Sequence, residues 1–351
     1  MARVDIAYIA RELGVSVSTV HRALHNTGRI SEATRQRVLE TAQRLGYRPN
    51  LVARALRSQN TRTLGVVVTG ISSSFYARML DGIESAAREA GYSVLLASSH
   101  DDAGREQEQI EVLLEKQAEA LLVAPASPRQ SAEYYRSLVA EGFRLVFLGR
   151  HVAGVPTLSV ETDNVTGGYL VGQHLCALGR RRLAVLTTVP AKRGYSYVQE
   201  RITGFQNALQ EVGRGRAPVL GEDIHDFPLS LPEFAHLVVQ SYLKQGGEVD
   251  ALFAINDDLA FGAIGALLDM GVRVPEQVAV VGFNDEWMSP YFRPALTTVR
   301  SEPQRIGREA VRLVVQSIER GEPVPSQRIL VEPALVIRQS CGARVNTTTD
   351  L

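Results

Sequence analysis

The chain has little of what disulfide, membrane or metal architectures require. Cys176 and Cys341 are its only cysteines in 351 residues, which argues against a disulfide framework. No apolar run reaches the roughly 18 residues of a membrane span. Met1-Ala2-Arg3-Val4-Asp5 leads straight into a helical pattern with no apolar signal core, so the chain is expected to stay in the cytoplasm, away from any membrane. His21 and His25 have a metal-binding spacing, but no Glu follows His21 and no third ligand is evident, so neither a metal nor a cofactor is expected. Residues 65–72 read GVVVTGIS, with Ile71 where a phosphate-binding loop needs lysine. A G-x-S-x-G elbow is missing as well, and no enzyme is expected.

Lysine is also absent from the first 60 residues, yet ten arginines stand there against Asp5, Glu12, Glu32 and Glu40, a net of +6. The remaining residues carry 28 basic and 34 acidic side chains, so an overall zero hides a basic head on an acidic body. A basic head suits a polyanionic partner. Residues 6–25, IAYIARELGVSVSTVHRALH, give that charge a shape. Ile6, Ala7, Ile9, Ala10 and Leu13 mark an apolar helix. Gly14 supplies the positive φ of a sharp turn, and Ser16 is a natural N-cap for a second helix from Val17. Val15 and Val20 are placed to pack back on the first helix. Val17, Ser18, His21 and Arg22 are left on an exposed face, with Thr19 and His25 beside it. This is a helix-turn-helix pattern, whose second helix can enter a major groove. Ser31 caps a third helix, Glu32 to Leu45, ended by Gly46-Tyr47-Arg48-Pro49. LVARALRS after Asn50 has about two turns, too few to stay helical unaided. A polar linker, 59–62, follows.

From Thr63 short apolar runs alternate with amphipathic helices. The runs are 64–68, 93–97, 120–124, 145–149, 183–187, 251–255 and 278–282. Helical patterns separate most of them, among others Tyr76 to Ala90, Arg105 to Lys116, Val165 to Leu178 and Arg201 to Val212. Such alternation means parallel sheets covered on both faces. The series restarts near Asn164, which predicts two doubly wound α/β subdomains. Late strands near 296–300 and 328–332 are expected to cross back between them. The expected division is a helix-turn-helix head (1–49), a hinge and linker (50–62), a body (63–340) and a tail (341–351). Within the body, lobe one takes 63–162 plus 294–321, and lobe two 163–293 plus 322–340. Ligands bind outside the carboxyl ends of such strands. Those ends carry Phe75, Tyr76, Ser127, Arg150, Asn256, Asp257 and Asn284.

Head and body together resemble the LacI/GalR family of bacterial transcription regulators, over about Val4 to Ser340. The resemblance rests on an ordered set: ELGVSVSTVHRAL, RISEATRQRVLETAQRLGYRPN, NLVARALRS, DNVTGG (163–168), RITGF (201–205), IND (255–257), VVGFND (280–285), PALTTVR (294–300) and VIRQS (336–340). It implies a periplasmic-binding-protein-like body behind the DNA-binding head. It also implies that Val17, Ser18 and Arg22 face base edges, with Ser16, Thr19 and His21 in the same DNA-binding face. Ala53 and Leu56 would enter the minor groove, Leu56 as a wedge that kinks the duplex, with Asn50, Arg54 and Arg57 near phosphates. Arg201, Asn256 and Asn284 would hydrogen-bond an effector on which Phe75 and Tyr76 pack. Two departures stand out: His21 replaces the family's usual Ser, and Asn284 its frequent Asp. No leucine heptad follows VIRQS, so a homodimer is implied rather than a tetramer. The expectation is a transcription regulator, a repressor, binding a pseudo-palindromic double-stranded DNA operator under control of a small-molecule effector, a sugar or sugar derivative. A small-molecule carrier and a sugar-modifying enzyme are the rival classes. The basic head argues against the first and the lack of catalytic motifs against the second.

Overall fold

A computed structural model describes residues 5–47, 61–188, 195–221 and 229–343. The chain divides into two compact units, at Thr61 and Arg62. The hinge residues Asn50, Ala53, Arg54, Leu56 and Arg57 lie outside the described residues.

The first unit has three helices: α1 (Ile6–Leu13), α2 (Val17–His25) and α3 (Glu32–Arg44). Local chemistry sets each boundary. Asp5 Oδ1 accepts the Tyr8 amide at 2.7 Å, Ser16 Oγ that of Thr19 at 3.1 Å, and Ser31 Oγ that of Thr34 at 3.2 Å. Gly14 ends α1 at φ 64°, where a Cβ would be strained. Ile9, Ala10, Val20, Ala23, Val38 and Ala42 form the small core, and Arg44 reaches back to Glu12 at 2.8 Å. The third helix stops one residue short of the expected Leu45, which caps it.

The second unit contains two six-stranded sheets. The first lobe contributes β1 (Thr63–Val68), α4 (Ser74–Glu89), β2 (Ser93–Ser98), α5 (Ala103–Glu115), β3 (Ala120–Val123), α6 (Pro128–Ala140), β4 (Leu145–Leu148) and β5 (Leu158–Thr162). The second contributes α7 (Asn164–Ala177), β6 (Leu183–Leu186), α8 (Ser196–Glu211), β7 (Val219–Leu220), α9 (Leu231–Lys244), β8 (Ala251–Ala254), α10 (Asp257–Asp269), β9 (Ala279–Asn284) and β10 (Thr297–Arg300). Then come α11 (Pro303–Arg320), β11 (Arg328–Val331) and β12 (Ala334–Val336). The sheet orders are β11-β5-β4-β3-β1-β2 and β12-β10-β9-β8-β6-β7. All pairings are parallel except β10 with β12.

The late crossings differ from the expected lobe division. Strand β10, assigned above to lobe one, pairs with β9 in the second sheet. Strand β11, assigned to lobe two, pairs with β5 in the first. Only α11 returns to the first lobe as expected, where Ile306, Ala310, Val311 and Val314 join its core. Apolar strands of equal length carry no label for their sheet, so register with a neighbour decides. Cys341, expected in a tail, is buried in the second-lobe core. Burial on both faces holds for the central strands but not for β2, an edge strand that leaves Leu95 37% and Leu96 48% exposed.

Two motif glycines have a packing cause. Helices α7 and α8 cross so closely that a Cβ at Gly168 would overlap the Arg201 carbonyl, and one at Gly204 the Val165 carbonyl. The glycines of DNVTGG and RITGF are thus two sides of one contact, and that contact seats the first turns of α8.

Candidate functional site

On the head, α2 presents Val17, 52% exposed, together with Ser18 and Arg22, also exposed. Thr19 and His21 are half-buried beside them. Ser16 is committed to its cap: its hydroxyl lies 2.8 Å from both Ser18 Oγ and Thr19 Oγ1. The aliphatic stem of Arg22 rests beside Gly28, where a Cβ would stand 3.3 Å from Arg22 Cδ. Among the described residues no group of three or more His, Cys, Asp or Glu side chains could hold a metal.

In the body, a cleft of about 200 Å³ opens between the lobes. A water occupies ~30 Å³, so the space admits a small organic molecule. Ser73, Phe75, Tyr76, Gly149 and Arg150 line it from the first lobe, and Tyr197, Arg201, Leu231, Asn256, Asp257, Asp258, Asn284 and Glu286 from the second. Seven of the eight effector residues expected from the sequence converge here. Ser127 does not: it is buried at the start of α6 and is not part of the lining.

Arg201 is 5% exposed, not a surface ion-pair residue. Its Nε donates to Asn164 Oδ1 at 2.9 Å, Nη1 to the Ile255 carbonyl at 2.5 Å, and Nη2 to Asn284 Oδ1 at 3.4 Å. The guanidinium lies 3.5 Å from the Phe283 ring centroid. Burial lowers its pKa to about 10, so it stays charged at neutral pH. Arg150 is 8% exposed, donates to the Pro125 carbonyl at 2.6 Å and stacks on Tyr195 at 4.3 Å.

On the acidic side, Asn256 caps α10, accepting the Leu259 amide at 2.9 Å. Asp257 is fully buried and holds three donors: Thr298 Oγ1 at 2.5 Å, the Glu286 amide at 2.7 Å and Ser289 Oγ at 2.9 Å. Burial nevertheless raises its carboxyl to about 6. Glu286, absent from the sequence expectation, is raised to about 7 by burial and then by Asp257. Trp287 is 66% exposed and not part of the lining.

Several polar contacts bind the lobes to each other around the cleft. Arg78 Nη2 donates to the Asn284 carbonyl at 2.8 Å. The Tyr195 hydroxyl lies 2.8 Å from both Asp101 Oδ2 and the Ala126 carbonyl. Arg328 spans Glu161 at 2.7 Å and Glu200 at 2.5 Å. Asn284 and Asp285 hold positive φ, 114° and 53°, at the end of β9. Arg300 and Arg338 brace Asp285 at 2.8 and 2.6 Å. The arginine of VIRQS therefore fixes the turn that aims Asn284.

Residues 5–50 match the family described as bacterial regulatory proteins, lacI family, and 173–341 match a periplasmic binding protein-like domain. The HTH-type transcriptional regulator DegA of Bacillus subtilis is 30% identical, covering 95% of this chain and 96% of its own. The chain belongs to the LacI family. The ribose operon repressor of Haemophilus influenzae is likewise 30% identical, over 95% of this chain and 97% of its own. The fold matches a lac repressor dimer bound to operator and the anti-inducer ONPF, with a TM-score of 0.86 at 24% identity, covering 97% of this chain and all of that one. As a LacI-family member the protein is a DNA-binding transcription regulator, not an enzyme, with a helix-turn-helix head and a two-lobed periplasmic-binding-protein-like body. No helix among the described residues is long and apolar enough to cross a membrane.

Sequence reasoning missed Gly149, Tyr197, Leu231 and Glu286. Tyr197 had a readable signal. It lies four residues before Arg201, one helical turn away on the same face. Glu286 lay two residues beyond Asn284 in the same turn.

Proposed function

We propose that the protein is a cytoplasmic repressor that binds a pseudo-palindromic operator as a homodimer and is controlled by a sugar or sugar derivative held in the cleft. Ser16, Val17, Ser18, Thr19, His21 and Arg22 form the DNA-reading face, Ser16 by shaping the helix start. The hinge residues Asn50, Ala53, Arg54, Leu56 and Arg57 complete the contact, and each head of a two-fold dimer takes one half-site. The effector contacts Phe75, Tyr76, Arg150, Arg201, Asn256 and Asn284. Asp257 acts behind them, through Glu286 and Thr298. The name of the ribose operon repressor supports both the sugar and the repressor reading.

The observation that carries effector control is the double use of Asn284. Its side chain meets Arg201 inside the cleft, and its carbonyl holds Arg78 of the opposite lobe. A ligand that engages the amide acts on the residue that ties the lobes, so its affinity differs between lobe arrangements, which is the requirement for a switch. The test has two parts. Fluorescence anisotropy on a duplex selected by the full chain should show affinity falling steeply between ~50 and ~200 mM salt, as released counterions demand. Titration of sugars into that complex should then change the operator affinity. Salt-independent binding overturns the head assignment, and a complex indifferent to every cleft ligand overturns effector control.

A further inference from the structure

We infer that the cleft selects an anionic ligand, a carboxylate or phosphate group carried on a hydroxylated scaffold, gripped jointly by Arg150 and Arg201 across the ring of Tyr197. This rests on the effector reading above and narrows it to a charge class.

The argument begins with an imbalance. Arg201 is 5% exposed, and its three hydrogen bonds go to neutral oxygens of Asn164, Ile255 and Asn284. Among the described residues no carboxylate forms an ion pair with it; Asp257 and Glu200 act on it only through space, whereas Arg300, Arg328 and Arg338 have direct pairs. A buried cation without a counter-charge is costly, and folds retain one where a ligand supplies the missing charge. Arg150 faces it from the other lobe. Its nearest carboxylate oxygen, on Asp101, is 3.6 Å away, longer than a charge-assisted hydrogen bond.

The two guanidinium groups share one ring. Their central carbons lie 5.3 Å (Arg150) and 5.1 Å (Arg201) from the Tyr197 centroid, so they are no more than about 10 Å apart. Both line the cavity. Arg150 thereby adds to the cost of the Arg201 charge, and an anion within reach of both guanidiniums relieves it. The guanidinium fork suits a planar carboxylate or a phosphate through paired N–H donors.

The acidic lining residues offset this field only in part: Asp257 favours the Arg201 charge from a distance, but its own carboxylate is taken up. Asp257 is held by Thr298, Ser289 and the Glu286 amide. Asp257, Arg78, Asp258 and Asp285 are the charges that act on Glu286 most strongly. The cleft is thus polarised, cationic around Tyr197 and acidic around Asp258 and Glu286. A ligand with an anionic end and several hydroxyl donors satisfies both.

The test uses the full chain and a matched panel: D-glucose, D-ribose and D-galactose, each with its carboxylated and its phosphorylated counterpart. Binding is read by thermal shift and then by isothermal titration calorimetry. The expected result is that at least one acid binds about tenfold or more tightly than its neutral parent, with affinity that weakens as salt rises. Preference for the carboxylated or the phosphorylated arm assigns the anion. Arg150→Gln should weaken the acid about tenfold more than it weakens the neutral parent, while Arg150→Lys keeps the preference for the acid. Neutral parents that bind as well as their acids, or an Arg150→Gln variant that weakens both equally, overturn the inference and leave the effector cleft standing. A panel in which neither kind binds overturns the effector reading with it.

Discussion

Replacing Arg201 by methionine should cost little stability, because this side chain burdens the fold that holds it. Burial takes its pKa from 12.5 to about 10, a penalty on the charged form of about 3 kcal/mol. The penalty is present at every pH below about 10, since the unfolded arginine is charged there too. Methionine removes it and still packs its sulfur on the Phe283 ring. Against that gain stand two buried acceptors. The Ile255 carbonyl and Asn164 Oδ1 lose donors at 2.5 and 2.9 Å, at about 1–3 kcal/mol each. The third bond, 3.4 Å to Asn284, is long and contributes little. The terms nearly cancel and leave a net loss of about 1 kcal/mol. A structural arginine in a buried ion pair would instead cost about 3–5 kcal/mol. Urea unfolding followed by far-UV circular dichroism and by emission from Trp287, the chain's single tryptophan, measures the difference in the body itself. Ligand binding to the cleft should be lost at the same time. A loss above about 4 kcal/mol would refute the reasoning, since Arg201 would then serve the fold rather than a ligand.

Gly204→Ala should destabilise the body by about 3 kcal/mol or more, because its Cβ overlaps the Val165 carbonyl. Gly265→Ala, where the nearest atom is 3.5 Å away, should be tolerated or gain about 1 kcal/mol; equal melting curves for the two variants would dismiss the helix-crossing argument. Glu286 has a carboxyl raised from 4.5 to about 7, so the folded state binds its proton more tightly than the unfolded state. Its contribution is greatest below about pH 4.5 and is lost as pH rises to about 7. Glu286→Gln should therefore gain about 1 kcal/mol at pH 8, after discounting for its partial exposure, and nothing near pH 4.5; a gain that does not vary with pH contradicts the assignment. Arg22→Ala should weaken the selected operator by about 1–3 kcal/mol more than random DNA. Equal weakening of both in an anisotropy titration would make Arg22 a phosphate contact.

The legible parts of the molecule are those whose causes are local. Ser16 and Ser31 cap helices because a hydroxyl beside the first turn meets free amides, and Gly14 turns because it has no Cβ. The apolar runs became strands at nearly the expected residues. Three strands, β5, β7 and β12, were not among them: LSVET of β5 alternates apolar and polar side chains and lacks a continuous run, and β7 and β12 span only two and three residues. Within the cleft, the residues at strand ends were readable because parallel sheets place their ligands there. Ser127 and Asp257 show the limit: both follow strands as expected, but one is not part of the lining and the other lines it with a carboxylate already held by Thr298, Ser289 and the Glu286 amide.

The sequence by itself determined the head, the alternating body, the family and most of the cleft residues, because each depends on neighbours within a few positions or on an ordered set of motifs. Tertiary structure alone decided which lobe owns β10 and β11, because either sheet could accept an apolar parallel strand and the choice rests on pairing with β9 and β5. It also decided that Arg150 and Arg201, far apart in the chain, both meet the ring of Tyr197. No local pattern encodes that meeting. It follows from two lobes meeting at one cleft, where burial leaves Arg201 without a direct ion pair among the described residues.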